Sequence, residues 1–219
     1  MPKESLLSLA DALVIVEALA ILAFAISGLL EAARKRLDAV GVCMVTGLTA
    51  FGGGTLRDVL LDRRPFFWVE HATWLWSLLL LCIAAMFFFR GRHFEPTRRA
   101  MQWPDAVGLG LFTAGGTQMA LTLGMPAIVA VLMGMITAVF GGVLRDIVCN
   151  EIPSAFLDHR PYAICSFAGG WVLVGVAALH GPAWLGLLGG TAVAAGLRAW
   201  ALATGFTLPK WSPDGLPRG

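Results

Sequence analysis

Two arginine–aspartate pairs stand inside otherwise apolar sequence, each preceded by glycines. They are Phe51-Gly52-Gly53-Gly54-Thr55-Leu56-Arg57-Asp58 and Val139-Phe140-Gly141-Gly142-Val143-Leu144-Arg145-Asp146. An ionised side chain inside an apolar span must face a partner or a wet cavity, so its first reading is a route for ions or small solutes. Arg57 and Arg145 are 88 positions apart, and the same offset pairs Glu17 with Asp105, Phe24 with Phe112, Gly28 with Gly116, Thr49 with Thr137 and Pro65 with Pro153. An offset held without a gap from residue 17 to residue 65 is an internal duplication. Each copy supplies an acid for its arginine, so Glu17 is expected to meet Arg57 and Asp105 to meet Arg145. Asp58 and Asp146 are sequence neighbours of the arginines, and adjacent residues on a helix do not face each other. They are expected to stand apart.

The elements that must position these groups are helices in a bilayer. The chain has 219 residues, of which 58% are hydrophobic and 14% charged. Its mean hydropathy of +0.76 exceeds what a soluble core needs. Runs of about 20 apolar residues, enough to cross about 30 Å of hydrocarbon, recur seven times. They cover about 9–33, 39–61, 68–89, 105–123, 127–149, 162–179 and 183–204. This is an all-α integral membrane fold of seven helices in a single domain, 1–204. Repeat one covers about 9–89, repeat two about 105–179, and a seventh helix 183–204. A flexible tail, 205–219, follows.

Each repeat holds three spans, an odd number, so the second copy must enter the membrane from the opposite face. Inverted repeats of this kind place their sites between the copies. With the N-terminus on side one, that side holds Lys3, Arg57, Arg63 and Arg64. The other side holds the remaining twelve cations, from Arg34, Lys35 and Arg36 through Arg90, Arg92, Arg98, Arg99, Arg145, Arg160 and Arg198 to Lys210 and Arg218. The excess of cations marks side two as cytoplasmic, with the N-terminus outside. The polar start at Lys3 and Glu4, with no cleavage site after the first apolar run, reads as a retained first span.

Helical spacing sharpens the site. Thr46, Thr49, Gly53 and Arg57 share one helical face, as do Gly134, Thr137, Gly141 and Arg145. The two stripes either line a narrow wet path or pack, with glycines allowing close approach and threonines bonding back to their own helix. Packing explains the glycines but not the twice-placed Arg-Asp, which favours the path. Three consecutive glycines, each about 1 kcal/mol worse than alanine in a helix, also predict a broken second span. In the fifth, Phe140 replaces the first glycine and the break should be milder.

Other chemistries are excluded. A net charge of +2 without a basic aromatic stripe gives no case for nucleic acid. Cys43, Cys82, Cys149 and Cys165 lie scattered in apolar runs and read as buried thiols. His71, His93, His159 and His180 fall at loops or span ends. No Ser/His/Asp or Cys/His set shares a membrane face, no metal-ligand spacing occurs, and the glycine run lacks the Lys-Ser or Lys-Thr of a phosphate loop. The chain reads as no enzyme.

With the paired Gly-Gly-Gly-x-x-Arg-Asp motif and this topology, the chain resembles prokaryotic trimeric intracellular cation (TRIC) channels, a family also catalogued as glycine transporters. The resemblance implies a homotrimer with one pore per protomer and monovalent cation flow, chiefly K⁺ as permeant ion without a cofactor. It also implies kinked second and fifth helices lining the pore, and bound phospholipid near the basic motif ends. Carried onto this chain, the pore-lining set is Thr46, Thr49, Gly52, Gly53, Gly54, Arg57, Asp58, Gly134, Thr137, Gly141, Gly142, Arg145 and Asp146. The pore-mouth acids are Glu17 and Asp105. A multi-pass protein of a prokaryotic plasma membrane is the expected setting. The alternative function is a secondary transporter of a small zwitterion such as glycine, which broken helices would also suit.

Overall fold

A computed structural model describes residues 8–90, 96–157 and 161–209. Lys3, Glu4, Arg92, His93, His159, Arg160, Lys210, Arg218 and the tail beyond Pro209 lie outside the described residues. Among those described, nine helices follow one another: α1 (Leu9–Arg34), α2 (Ala39–Leu60), α3 (Phe67–Glu70), α4 (Thr73–Arg90), α5 (Arg98–Thr122), α6 (Ala127–Val148), α7 (Ser154–Leu157), α8 (Ala163–Ala178) and α9 (Ala183–Thr204). Four of them, α1, α2, α6 and α9, are long and apolar enough to cross a membrane, while α4 and α8 are apolar but shorter.

Helix starts follow the local chemistry. Ser8 and Asp11 form a reciprocal capping box on α1, Asp38 accepts from the Gly41 amide on α2, and Thr97 accepts from the Ala100 amide on α5. Such caps satisfy amides that the first turn leaves without partners. The ends repeat too. Arg36 and Gly124, 88 residues apart, both turn the chain out of a helix with positive φ (53° and 74°), as do Asp62 and Asn150 (50° and 55°).

Three expectations need correction. The third span is not one helix: α3 and the His71-Ala72 turn precede α4, because the start of α3 is drawn down onto Asp58. The fourth helix begins at Arg98, about two turns before Asp105, and carries Pro104 within it. Pro104 has no amide to donate, so the Ala100 carbonyl one turn earlier loses its intrahelical bond. Finally, α2 runs without interruption through Gly52-Gly53-Gly54, and α6 through Gly141-Gly142. The glycines do not break the backbone. They let it approach its neighbour.

The packing is reciprocal between the copies. Phe24 on α1 stacks on its own counterpart Phe112 on α5, with centroids 5.4 Å apart. A Cβ on Gly28 would lie 2.7 Å from the Thr49 hydroxyl, and one on Gly116 would lie 2.7 Å from that of Thr137. Where α2 crosses α6, a Cβ on Gly53 would overlap the Thr137 carbonyl oxygen, and one on Gly141 would overlap the Thr49 carbonyl oxygen. Small residues here bring backbones together in a setting where apolar burial gives little drive for helix association.

Candidate functional site

The two arginines close opposite ends of this crossing. On α2, Arg57 is fully buried and donates to Glu17 of α1 at 2.5 Å. Its Nε and remaining amino group reach Asp58 Oδ1 at 2.9 and 2.7 Å. Asp58 is therefore a partner of Arg57, contrary to the expectation from helix geometry. A guanidinium on a long stem folds back to its neighbour, which backbone-based face arguments do not capture. The other oxygen of Asp58 accepts from the Phe67 amide at 2.8 Å, which puts the Phe67 ring 5.4 Å from the Arg57 guanidinium. Arg63 adds a second cation 3.8 Å from Asp58.

The second copy repeats this arrangement. Arg145 donates to Asp105 at 2.7 Å and to Asp146 Oδ1 from Nε at 2.9 Å. Asp146 Oδ2 accepts from the Ser154 amide at 2.8 Å. The short helices α3 and α7 thus serve one purpose: each presents a free N-terminal amide to the aspartate of the motif. A buried charge must be paired and hydrogen-bonded to be tolerated, and both arginines meet that condition on every side.

The copies then diverge. At the Arg145 end, Ser27 of α1 accepts from the guanidinium at 2.7 Å, and the Tyr162 hydroxyl donates to Asp105 Oδ2 at 2.7 Å. Arg198 of α9, 1% exposed, lies 4.7 Å from the Tyr162 ring centroid and donates to the Pro161 carbonyl at 3.3 Å. The counterpart of Tyr162 is Trp74, which stacks instead on His71 at 4.4 Å. Sequence reasoning missed Ser27, Phe67, Ser154, Tyr162 and Arg198 as site residues. Two left a signal: Tyr162 is the single tyrosine of the chain, and Arg198 is an arginine within an apolar span, where a charge needs a partner.

The stripe between the arginines is packed. Thr46, Thr49, Thr137, Gly53 and Gly141 are buried, and Thr49 and Thr137 bond back to the carbonyls of Val45 and Met133 at 2.6 Å. Gly134 lies against Thr113 and Thr117 of α5. Gly142 leaves room for Tyr162 and Asp105, Gly54 for the Phe67 ring, and Gly52 for Leu144. In this conformation the packing reading describes the stripe, and the arginine clusters lie beyond its two ends. The Thr46 and Thr117 hydroxyls are buried without a hydrogen-bond partner among the described residues. Also among the described residues, no group of three His, Cys, Asp or Glu could hold a metal.

Comparison with known proteins agrees with this architecture. A family model described as "Glycine transporter" matches residues 14–90 and again 102–178, two segments offset by 88 residues at both ends. The crystal structure of the TRIC trimeric intracellular cation channel orthologue from Rhodobacter sphaeroides superposes with a TM-score of 0.82 at 35% identity, covering 89% of this chain and 99% of that one. The chain belongs to the TRIC, or glycine transporter, family. Other relatives in this family are a UPF0126 membrane protein of Vibrio cholerae, 33% identical over 86% of this chain and 78% of its own, and the UPF0126 inner membrane protein YadS of Escherichia coli K12, 39% identical over 68% of this chain and 71% of its own. The TRIC-family chain is a multi-pass membrane protein.

Proposed function

We propose that this protein is a K⁺-permeable cation channel, with one path per protomer between α2 and α6. The observation that carries the reading is the pair of buried Arg–acid clusters, Arg57 with Glu17 and Arg145 with Asp105, beyond the two ends of one helix crossing. A permanently packed scaffold has no need of two buried ion clusters at the ends of a glycine crossing. The similarity to proteins described as TRIC cation channels supports the same reading.

The packed crossing is the closed state. Conduction requires α2 and α6 to part at Gly53 and Gly141, which would expose Thr46, Thr49 and Thr137 to water. The arginines then act as gates at the mouths, not as selectivity sites. An arginine about 4 Å from a passing cation opposes it by about 4 kcal/mol at an effective dielectric of about 20, and paired acids reduce this. Cation preference comes from Glu17, Asp58, Asp105 and Asp146. K⁺ is the permeant ion; no cofactor and no catalytic role are assigned.

The reciprocal contacts support seven spans arranged as two inverted repeats plus α9, in one membrane domain covering 1–204. The N-terminus lies outside and the C-terminal tail in the cytoplasm of a prokaryotic cell. The assembly is a homotrimer in contact with phospholipid. Purified protein in planar bilayers under unequal KCl tests the function: unitary steps with a reversal potential on the K⁺ side are expected. Electrical silence together with saturable glycine uptake into liposomes would establish the transporter instead.

A further inference from the structure

Histidine is the side chain that ordinarily gains charge between about pH 5 and 8. The described residues include two, His71 just after α3 and His180 just before α9, both on the outer face in the seven-span topology. Their surroundings differ. His180 is exposed in the turn between α8 and α9. His71 is half-buried, and its ring stacks on Trp74 of α4 with centroids 4.4 Å apart and planes inclined by 10°. Its Nδ1 lies 3.2 Å from the Phe67 carbonyl oxygen. A carbonyl only accepts, so Nδ1 carries the hydrogen and the ring takes any further proton at Nε2.

Phe67 joins this ring to the outer arginine. Its carbonyl receives His71, its amide donates to Asp58 Oδ2 at 2.8 Å, and its ring lies 5.4 Å from the Arg57 guanidinium. Trp68 adds a second tie from α3 to α2, donating from Nε1 to the Thr55 hydroxyl at 3.1 Å. The short helix α3 is a strap between the start of α4 and the Arg57 end of α2.

We propose that His71 is a proton sensor for the outer mouth, and that its charging holds the strap down and keeps that mouth closed. The role rests on the channel reading. An imidazolium is attracted to the negative face of the Trp74 indole, which a neutral imidazole is not. The same charge strengthens the hydrogen bond to the Phe67 carbonyl. The surrounding charges accept it. Among the described residues they are Glu17 on α1, Arg57 and Asp58 on α2, Asp62, Arg63 and Arg64 in the loop after α2, and Glu70 on α3, which leaves one acid in excess. The cations are engaged: Arg57 with Glu17 and Asp58, Arg63 with Glu70 at 3.1 Å, and Arg64 over the Phe66 ring. Opening moves α2 away from α6, draws Asp58 from the Phe67 amide and loosens the strap. The closed state therefore binds the proton more tightly than the open state, and by linkage acid on the outer side favours closure.

Full-length wild type, H71Q, W74L and H180N are recorded in planar bilayers while the outer pH is stepped from about 8 to about 5 at fixed inner pH. Open probability of the wild type should fall about threefold, the size of a partly exposed cation–π contact, and H180N should match it. H71Q keeps a donor for the Phe67 carbonyl but cannot charge, so its open probability should stay level. W74L keeps the titrating ring without its platform and should respond less than wild type. A rise with acid, or an equal fall in wild type and H71Q, overturns the sensor; a full response in W74L overturns the stack as its basis. Hydrogen exchange over residues 61–75 in detergent, corrected for the intrinsic effect of pH on exchange, reads the strap without any current. Protection should be greater at about pH 5.5 than at about pH 7.5 in wild type and equal at both in H71Q. Equal protection in wild type at both also overturns the sensor. Silence of every variant overturns the channel reading, while acid-dependent protection in wild type alone still assigns His71 to the strap.

Discussion

Gly53 of α2 faces the carbonyl oxygen of Thr137 on α6 so closely that a single added methyl would overlap it, and Gly141 faces Thr49 in the same way. Each copy of the repeat thus places its glycine on the backbone of the other, and the packed crossing depends on both.

Gly53→Ala and Gly141→Ala should therefore destabilise the closed packing. Overpacking of this kind costs about 1–3 kcal/mol, and the strain is relieved when the helices part. A lower unfolding temperature in detergent together with a higher open probability in bilayers is expected. Lower stability with unchanged or reduced opening would show that the crossing is not the gate.

Arg57→Ala leaves Glu17 and Asp58 buried without their main cation, and Arg145→Ala does the same to Asp105 and Asp146. Removing one partner of a buried pair costs about 3–5 kcal/mol. The double variant Glu17→Gln with Arg57→Ala should recover part of that loss, since Glu17 then leaves no unpaired charge. Thermal denaturation of the double-mutant cycle measures the coupling. Both Arg→Ala variants that reach the membrane should change conductance or open probability while the reversal potential stays on the K⁺ side.

In the proposed channel, selectivity is carried by the acids. Neutralising Glu17, Asp58, Asp105 and Asp146 should move the reversal potential toward zero under unequal KCl, because the mouths then present only arginines to the permeant ion. An unshifted potential would move selectivity to another part of the path.

Glu151 predicts an acid limb to stability. Burial alone would raise its carboxyl, but hydrogen bonds from Lys35 and Arg34 and their charges overcome this and hold it at about 2, below its ordinary 4.5. A carboxyl lowered on folding stabilises above its unfolded value and loses that contribution as pH falls through the folded one. The contribution is whole above about pH 5 and declines between about 4.5 and 2. Glu151 and its cations are part-exposed and screened by solvent, so the contribution is about 1 kcal/mol. Glu151→Gln should lower the unfolding temperature slightly at pH 7 and flatten this part of the acid profile.

Much of this protein is legible in its sequence because duplication and periodicity are one-dimensional facts. The offset of 88 residues aligns Glu17 with Asp105 and Arg57 with Arg145, and the span count then sets each acid at the same membrane face as its own arginine. Apolar run length locates α1, α2, α6 and α9 to within a few residues, since hydrocarbon thickness sets that length, but it misses the polar first two turns of α5. The family follows from the same residues. Tertiary structure decided the rest, because packing is a relation between faces that no single span records. Whether three glycines break a helix or seat it against another depends on what lies opposite, and here that is the Thr137 backbone. Asp58 is assigned to Arg57 only by the fold, which shows how far a guanidinium reaches back. Tyr162, just before α8, and Arg198, on α9, acquire a role because the chain folds them toward Asp105 from 57 residues away and beyond; linear distance carries no trace of that contact.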